Sequence, residues 1–171
     1  MSGQSRGPEA FPHIRAATTV DAPRLAELRE EFRTSLAPEV HPEAGFVGRC
    51  RAWMAERLAR SEIWRCWIAE TEAEGTVGMV WIQFLEKLPN PVGEPELHAY
   101  LTSFYIRPSA RDRGLGSALL EAALGACRER GCDSVFLWPT PRSRPLYLRF
   151  GFTEQAGMLE RRLGVGASPA T

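Results

Sequence analysis

The sequence lacks long apolar runs, lacks an excess of charge of one sign, and has very little lysine. Its apolar runs fall well short of the about 20 residues that a membrane-spanning helix needs, so we expect no membrane partner. The 21 basic and 21 acidic side chains cancel to a net charge of 0. Because nucleic-acid surfaces depend on a basic excess, we expect no nucleic-acid partner. Lys87 is the only lysine, and arginine carries the remaining basic charge along the whole chain.

Cysteine is scarce and irregularly spaced. The four cysteines show no CxxC spacing and no paired histidines, which zinc sites and disulfide frameworks require. We therefore expect no metal and interpret the cysteines as small, buried side chains. The opening residues, MSGQSRGPEAFPH, contain no apolar core of the kind found in signal peptides, which favours a cytoplasmic location.

The 171 residues suit one domain, with 44% hydrophobic and 25% charged residues, as in ordinary globular proteins. Residues 1–11 are polar and contain glycine and proline, so we expect a flexible N-terminus. We place the domain at residues 12–163 and a second flexible segment at 164–171.

Apolar periodicity and turn residues predict an order of strands and helices. The first half is predicted to hold a short strand at His13–Ala17, a helix from caps at Thr18–Asp21 to Leu36, a second helix from Phe46 to near Ser61, and a hairpin of Ile63–Thr71 with Thr76–Leu85. The apolar stripe of the second helix is interpreted as core packing. A polar loop rich in proline leads from the hairpin to the next strand.

The stretch Leu101–Arg130 combines a strand, a turn with two glycines and a long amphipathic helix. Gly114 and Gly116 lie where the helix begins, and glycine permits close approach and positive φ. The first N–H groups of a helix have no intrahelical acceptor and carry the positive end of its dipole. The turn is therefore predicted to bind a phosphate group.

Two common phosphate-binding patterns do not fit this turn. No Gly-Lys-Ser/Thr follows the glycines, as a triphosphate-binding loop requires. Leu119 stands where the dinucleotide fingerprint has its third glycine, and the unit lies late in the chain.

The remaining segments complete an α/β arrangement. Gly131 suits the end of the long helix, and Asp133–Trp138 is a short strand that a right-handed crossover makes parallel to the strand before the turn. A short helix over Ser143–Phe150 and one or two strands within Phe152–Leu163 follow.

The segments HIRAATTVDAPRLAEL, FYIRPSARDRGLGSALL and RPLYLRFGF together resemble the GCN5-related N-acetyltransferase (GNAT) family. The resemblance implies a single α/β domain (α+β, mixed sheet). Its sheet would have about six to seven strands, mostly antiparallel with a central splayed parallel pair, flanked by about four helices. It also implies acetyl-CoA as co-substrate, with no metal.

The family assigns coenzyme contacts to matching positions here. The pyrophosphate would lie on the backbone of Arg111, Asp112, Arg113, Gly114, Leu115 and Gly116, with Ser117 as the first hydroxyl of the helix. The pantetheine arm would lie along Phe104, Tyr105 and Ile106, where a backbone N–H would also stabilise the oxyanion of the thioester carbonyl. Thr140 replaces the asparagine that many members carry, and Ser143 and Arg144 are further candidates. Solvated loop charge is the alternative for Arg111 and Arg113.

The reaction implied is direct attack of a neutral amine on the acetyl carbonyl in a ternary complex, as in other acyltransferases of this family. Tyr147 matches the family's general acid, which protonates the departing thiolate; packing with Phe150 and Phe152 is its alternative role. Strand alternation puts Glu96 and His98 on one face with Tyr100 and Thr102, so Glu96 or His98 is the hypothetical base, acting through water.

The acceptor is left open by the sequence. A small molecule or a peptide would supply the amine, and the regions expected to contact it are Phe32–Trp53 and Trp81–Glu96, whose carboxylates suit a cation. A non-catalytic acyl-CoA sensor or scaffold and an acyltransferase for longer chains remain alternatives. The protein is expected to be a monomer or a homodimer.

Overall fold

The computed structural model describes residues 13–39, 41–155 and 157. The chain divides into two compact units, the first ending at Trp138 and the second beginning at Pro139. The first unit is a five-stranded sheet with the strands in chain order. Its strands are β1 (His13–Ala16), β2 (Trp64–Thr71), β3 (Gly75–Glu86), β4 (Leu97–Ile106) and β5 (Ser134–Phe136). Its helices are α1 (Ala22–Leu36), α2 (Phe46–Ala59) and α3 (Leu115–Glu129).

Antiparallel pairing joins β1 to β2, β2 to β3 and β3 to β4. The β2–β3 hairpin confirms the prediction from the acidic, glycine-containing turn between two β-rich runs. Its turn begins where Thr71 pairs with Gly75, a glycine with φ of 66°.

The helices pack on both faces of this sheet, as strand alternation requires. Met79 and Trp81 of β3 join the buried side chains of α1 and α2, including Leu25 and Met54. Gly78, one residue from Met79, instead faces α3, since a Cβ added there would come within 3.4 Å of the Leu119 side chain. The two faces therefore have separate apolar layers.

The strand pair β4–β5 is parallel and short. It contains only three paired positions, from His98 with Ser134 to Tyr100 with Phe136. β4 continues six residues further, to Ile106, while β5 ends at Phe136. The predicted splayed parallel pair is confirmed, because the two strands stop pairing halfway along β4.

The second unit contains α4 (Arg144–Arg149), within the predicted range Ser143–Phe150. Of the predicted final strands, residues 152–155 form no strand, and most of residues 156–163 lie outside the described part of the chain. The described sheet thus has five strands rather than six to seven, and the four α-helices match the expected number. The segments 1–11 and 164–171 also lie outside the described residues.

No helix in the described residues is long and apolar enough to cross a membrane. The four cysteines are free thiols, with Cys66 and Cys127 buried and Cys50 and Cys132 half-buried.

Candidate active site

The predicted phosphate turn connects β4 to α3. Arg111 precedes two left-handed residues, Asp112 with φ of 62° and Gly114 with φ of 78°. Gly114 is the N-cap of α3, and the first helical hydrogen bond runs from the Ala118 N–H to the Gly114 carbonyl at 3.1 Å. The N–H groups of the three residues between them, which include Gly116 and Ser117, therefore have no acceptor within the helix.

The side chain of Arg111 folds back on the preceding strand. Its Nε donates to the Ile106 carbonyl at 2.9 Å, and its guanidinium lies 5.9 Å from the centre of the Tyr105 ring. Arg111 is thus not a fully solvated loop charge, whereas Arg113 is exposed. Holding the end of β4 against the turn fixes the direction in which the helix begins.

The strand leading to the turn is irregular at its centre. Ser103 has φ of 51°, and the β3–β4 register shifts between Met79 and Trp81, so that Thr102 pairs with Trp81 and Tyr105 with Met79. A bulge of this kind bends a strand and re-aims its backbone groups, and it is enriched beside active sites. The predicted pantetheine positions Phe104, Tyr105 and Ile106 lie directly after it.

In the second unit, Tyr147 is 5% exposed and packs edge-on against Phe152 at 5.5 Å between ring centres. Burial raises the pKa of its phenol, and a hydrogen bond from Ser143 offsets part of that effect. The hydroxyl therefore keeps its proton at neutral pH. Both roles considered from the sequence, packing and proton donation, are compatible with this environment.

The three other predicted coenzyme residues of this unit bind each other or a neighbour. The hydroxyls of Thr140 and Ser143 are hydrogen-bonded at 2.9 Å, and the Thr140 N–H donates to the Ser143 hydroxyl at 3.0 Å. Arg144 forms an exposed ion pair with Glu154. The contacts between Thr140 and Ser143 stabilise the turn that leads into α4. Because Arg144 is paired with Glu154, a phosphate at Arg144 would have to compete with that carboxylate.

The two candidate bases differ in their surroundings. Glu96 is exposed and lies just before β4. His98 is half-buried, its Nδ1 lies 2.8 Å from the Ser134 hydroxyl, and Asp133 is 3.8 Å away. His98 is two residues from Tyr100, about 7 Å along the strand.

A cavity of 280 Å³ lies on the face of the sheet that packs against α1 and α2, beside the bulge of β4. It is lined by Arg29, Cys50, Trp53, Met54, Trp64, Trp81, Tyr100, Thr102 and Ser103. Tyr100 and Thr102 face it together, as strand alternation predicts, whereas Glu96 and His98 do not line it. No carboxylate of the described part of the chain belongs to this lining, in contrast to the acidic acceptor region considered from the sequence.

Three residues of this lining lie in the regions that the sequence assigned to the acceptor, and two lie on the face predicted for the candidate bases; the other four are Arg29, Met54, Trp64 and Ser103. The α2 stripe packs against the core as predicted, through Met54 and the partly buried Val47, Cys50 and Leu58. Trp53, also on this stripe, is 37% exposed and lines the cavity. Arg29 had a detectable sequence pattern, since it lies four residues after Leu25 and three before Phe32, within an otherwise apolar stripe. A charge at such a position indicates either an ion pair or a site.

A protein-family model matches the segment of the chain that contains β4, the glycine turn and α3. The model of the "Acetyltransferase (GNAT) family" matches residues 24–152, most of the chain. The chain belongs to the GNAT acetyltransferase family. A mycothiol acetyltransferase from Thermomonospora curvata is 32% identical over 125 residues, which cover 68% of this chain and 37% of the relative. The matched segment thus accounts for little more than a third of that relative.

Solved structures of the GNAT fold resemble the chain over most of its length. A predicted acetyltransferase with acetyl-CoA from Clostridium acetobutylicum has a TM-score of 0.74 at 22% identity, covering 90% of this chain and 97% of that one. A GCN5-related N-acetyltransferase from Ralstonia eutropha has a TM-score of 0.71 at 24% identity, covering 90% and 99%. An aminoglycoside N-acetyltransferase in complex with CoA has a TM-score of 0.67 at 18% identity, covering 92% and 98%. At these identities the likeness establishes the fold.

Proposed function

We propose that the chain is an N-acetyltransferase that moves the acetyl group of acetyl-CoA to an amine by direct attack in a ternary complex. The observation that carries the proposal is the turn at the start of α3, in a chain of the GNAT family. Acetyl-CoA, when bound, supplies an acyl group activated as a thioester.

The residues at the turn fit a pyrophosphate. Asp112 and Gly114 both have positive φ, and such backbone turns direct successive N–H groups to one point. The start of α3 adds the donors of Leu115, Gly116 and Ser117 and the positive end of the helix dipole. Arg111 and Arg113 add positive charge beside them.

Tyr147 is proposed as the proton donor to the leaving sulfur. A general acid must carry its proton before the reaction, and the raised pKa of the buried Tyr147 phenol ensures this at neutral pH.

The base is proposed to be Glu96 or His98, acting through water. A base removes a proton as the amine attacks, so its ionisation should appear in the pH profile of kcat/KM. Replacing both with alanine should move the acid limb of that profile. An unchanged profile in the double variant would exclude the pair.

The proposal is tested by thermal unfolding with acetyl-CoA and with longer acyl-CoAs, followed by thiol release across a panel of amines. A ligand at 100 times its Kd stabilises a protein by about 2.7 kcal/mol. Stabilisation without thiol release would indicate the non-catalytic sensor or scaffold, and the chain length that stabilises most would identify the acyl group. No stabilisation by any acyl-CoA would defeat the proposal.

A pair of glycine variants makes the test specific for the turn. Gly114 and Gly131, at opposite ends of α3, both have positive φ, and neither has an atom within 4 Å of an added Cβ. Gly114→Val and Gly131→Val should therefore impose similar backbone strain of about 1–2 kcal/mol. Only Gly114→Val should weaken acetyl-CoA binding, and equal weakening in both would argue against the turn.

A further inference from the structure

The cavity beside the β4 bulge has flat apolar walls. The rings of Trp53, Trp64 and Trp81 pack against one another, with ring centres 5.1–6.3 Å apart. Tyr100 adds a further ring, which stacks on Phe136 at 5.5 Å. At 280 Å³ the cavity is slightly smaller than the about 300–1,000 Å³ typical of small-molecule sites. Such a space suits one ring with a short polar chain.

Among the described residues of this lining, only Arg29 has an ionised side chain at neutral pH. Its Nη1 donates to the Ser103 hydroxyl at 3.0 Å, and the guanidinium lies 5.7 Å from the Phe32 ring centre. No carboxylate of the described residues forms an ion pair with it. Burial, and secondarily the positive charge of Arg33, lowers the pKa of Arg29. A half-buried cation with unused donors is stabilised by an anion.

Trp81 supplies a polar atom that has no hydrogen-bond partner among the described residues. The residue lines the cavity and is 2% exposed. Its indole Nε1 is a buried donor that lacks a hydrogen-bond partner in the described part of the chain. Buried donors are nearly always satisfied, so a substrate that reached this atom would need to offer it an acceptor.

We propose that this cavity is the acceptor site and that its substrate is a small amine carrying a carboxylate and a flat apolar group, as an aromatic α-amino acid does. The inference rests on the proposed acetyl transfer. The carboxylate would bind Arg29, and the ring would lie among the tryptophans. A polycationic acceptor is disfavoured, because the lining offers it a like charge and no carboxylate.

The apolar walls assist the chemistry. Desolvation lowers the pKa of a bound ammonium group, which increases the fraction of neutral amine. The nitrogen then forms a bond to the acetyl carbon, the C–S bond breaks with its electron pair going to sulfur, and one proton is transferred overall from nitrogen to sulfur. The products are an N-acetylated amino acid and a free thiol.

The test compares phenylalanine with phenethylamine, its counterpart without the carboxylate, and with neamine as a polycation. Thiol release from acetyl-CoA gives kcat/KM, and quenching of tryptophan fluorescence with CoA present gives binding without turnover. We expect phenylalanine to exceed both other amines by at least about 10-fold in kcat/KM, the order expected for a charge-assisted hydrogen bond. An equal or greater kcat/KM for phenethylamine or neamine would overturn the inference.

Variants at Arg29 and at the neighbouring Arg33 test whether the preference for phenylalanine depends on the Arg29 side chain. Arg29→Gln should abolish the preference for phenylalanine over phenethylamine, whereas Arg29→Lys, which keeps the charge, should retain part of it. Arg33→Gln, one helical turn away and exposed, should leave the preference unchanged. An unchanged preference in a folded Arg29→Gln protein contradicts the assignment.

The two readouts separate this inference from the proposed function. Quenching by phenylalanine that Arg29→Gln removes, without thiol release for any amine, would refute the acetyltransferase activity and leave the carboxylate-binding site at Arg29 standing. Thiol release with cationic amines alone would support the activity and refute the carboxylate-binding site. Absence of both quenching and turnover with phenylalanine would also refute the carboxylate-binding site.

Discussion

At the scale of single residues, Tyr147 is the residue proposed as the proton donor to the leaving sulfur. We expect Tyr147→Phe to lower kcat by about 100-fold or more, because general acid catalysis typically contributes 10²–10⁴-fold. Thermal unfolding and acetyl-CoA binding should change little, since the ring and its packing against Phe152 are retained.

Tyr105→Phe is the matched control for that experiment. Tyr105 is also buried, and its ring contacts Phe32 at 5.4 Å, but only its backbone is proposed to bind the coenzyme. Removing the Tyr105 hydroxyl in Tyr105→Phe should therefore leave kcat nearly unchanged. Full turnover by Tyr147→Phe would exclude Tyr147 as the acid.

Asp21, just before α1, forms an ion pair with Arg15 of β1. Its carboxylate accepts hydrogen bonds from Arg15 at 2.8 and 2.9 Å and from the Thr18 N–H at 2.7 Å. We expect Asp21→Asn to lower the free energy of unfolding at pH 7 by about 1.5–3 kcal/mol, as for hydrogen bonds to charged groups. Chemical denaturation measures this loss.

The Asp21 contacts also set a pH dependence. Hydrogen bonds from Arg15 lower the pKa of Asp21, and likewise that of Glu70, below their ordinary values. A carboxylate with a lowered folded-state pKa contributes stability above its unfolded pKa of about 4 and loses it as the pH falls through the folded value. The difference between wild type and Asp21→Asn should therefore shrink below about pH 4. An equal difference at pH 7 and pH 3 would contradict this account.

At the scale of elements, the contact of β3 with the end of β4 depends on one glycine. A Cβ at Gly78 would lie 2.4 Å from Cδ1 of Ile106 and 3.0 Å from the Tyr105 carbonyl oxygen. The Ile106 side chain can turn away, but the carbonyl belongs to the β3–β4 ladder. We expect Gly78→Ala to destabilise the fold by about 1–3 kcal/mol, as overpacking does.

Gly125→Ala is expected to change the stability of the fold in the opposite direction to Gly78→Ala. Gly125 lies within α3, where an added Cβ meets nothing closer than the Arg128 side chain at 4.0 Å. Alanine is favoured over glycine in helix interiors by up to about 1 kcal/mol, so stability should rise. A stable Gly78→Ala would show that the end of β4 can shift freely.

At the scale of the whole molecule, the balanced charge predicts a solubility minimum. The sequence has a net charge of 0 and a pI of about 6.8, and proteins near zero net charge associate most readily. Solubility under polyethylene glycol precipitation should be lowest near pH 7 and rise on both sides. A minimum displaced by two pH units or more would mean that the charges of the folded chain titrate unlike those of the sequence.

The sequence by itself determined what depends on neighbours along the chain. The hairpin, the glycine turn and the helix α3 could all be predicted, because turn chemistry and apolar periodicity are local. The family motif was likewise recognisable, since its glycines and arginines are contiguous. The parallel pairing of β4 with β5 followed from the order strand, helix, strand, whereas the mixed sheet with a splayed pair was implied by the family resemblance.

Only the tertiary structure decided the cavity and the partners of its charges. Arg29 and Ser103 are 74 residues apart, and the cavity combines α1, α2, β2, β3 and β4. The irregular φ of Ser103 arises where β4 pairs with β3. Contacts of this kind depend on how separate elements pack, and no local pattern encodes them. For this reason the glycine turn could be predicted from the sequence, whereas the contacts of Arg29 in the cavity proposed for the acceptor could not.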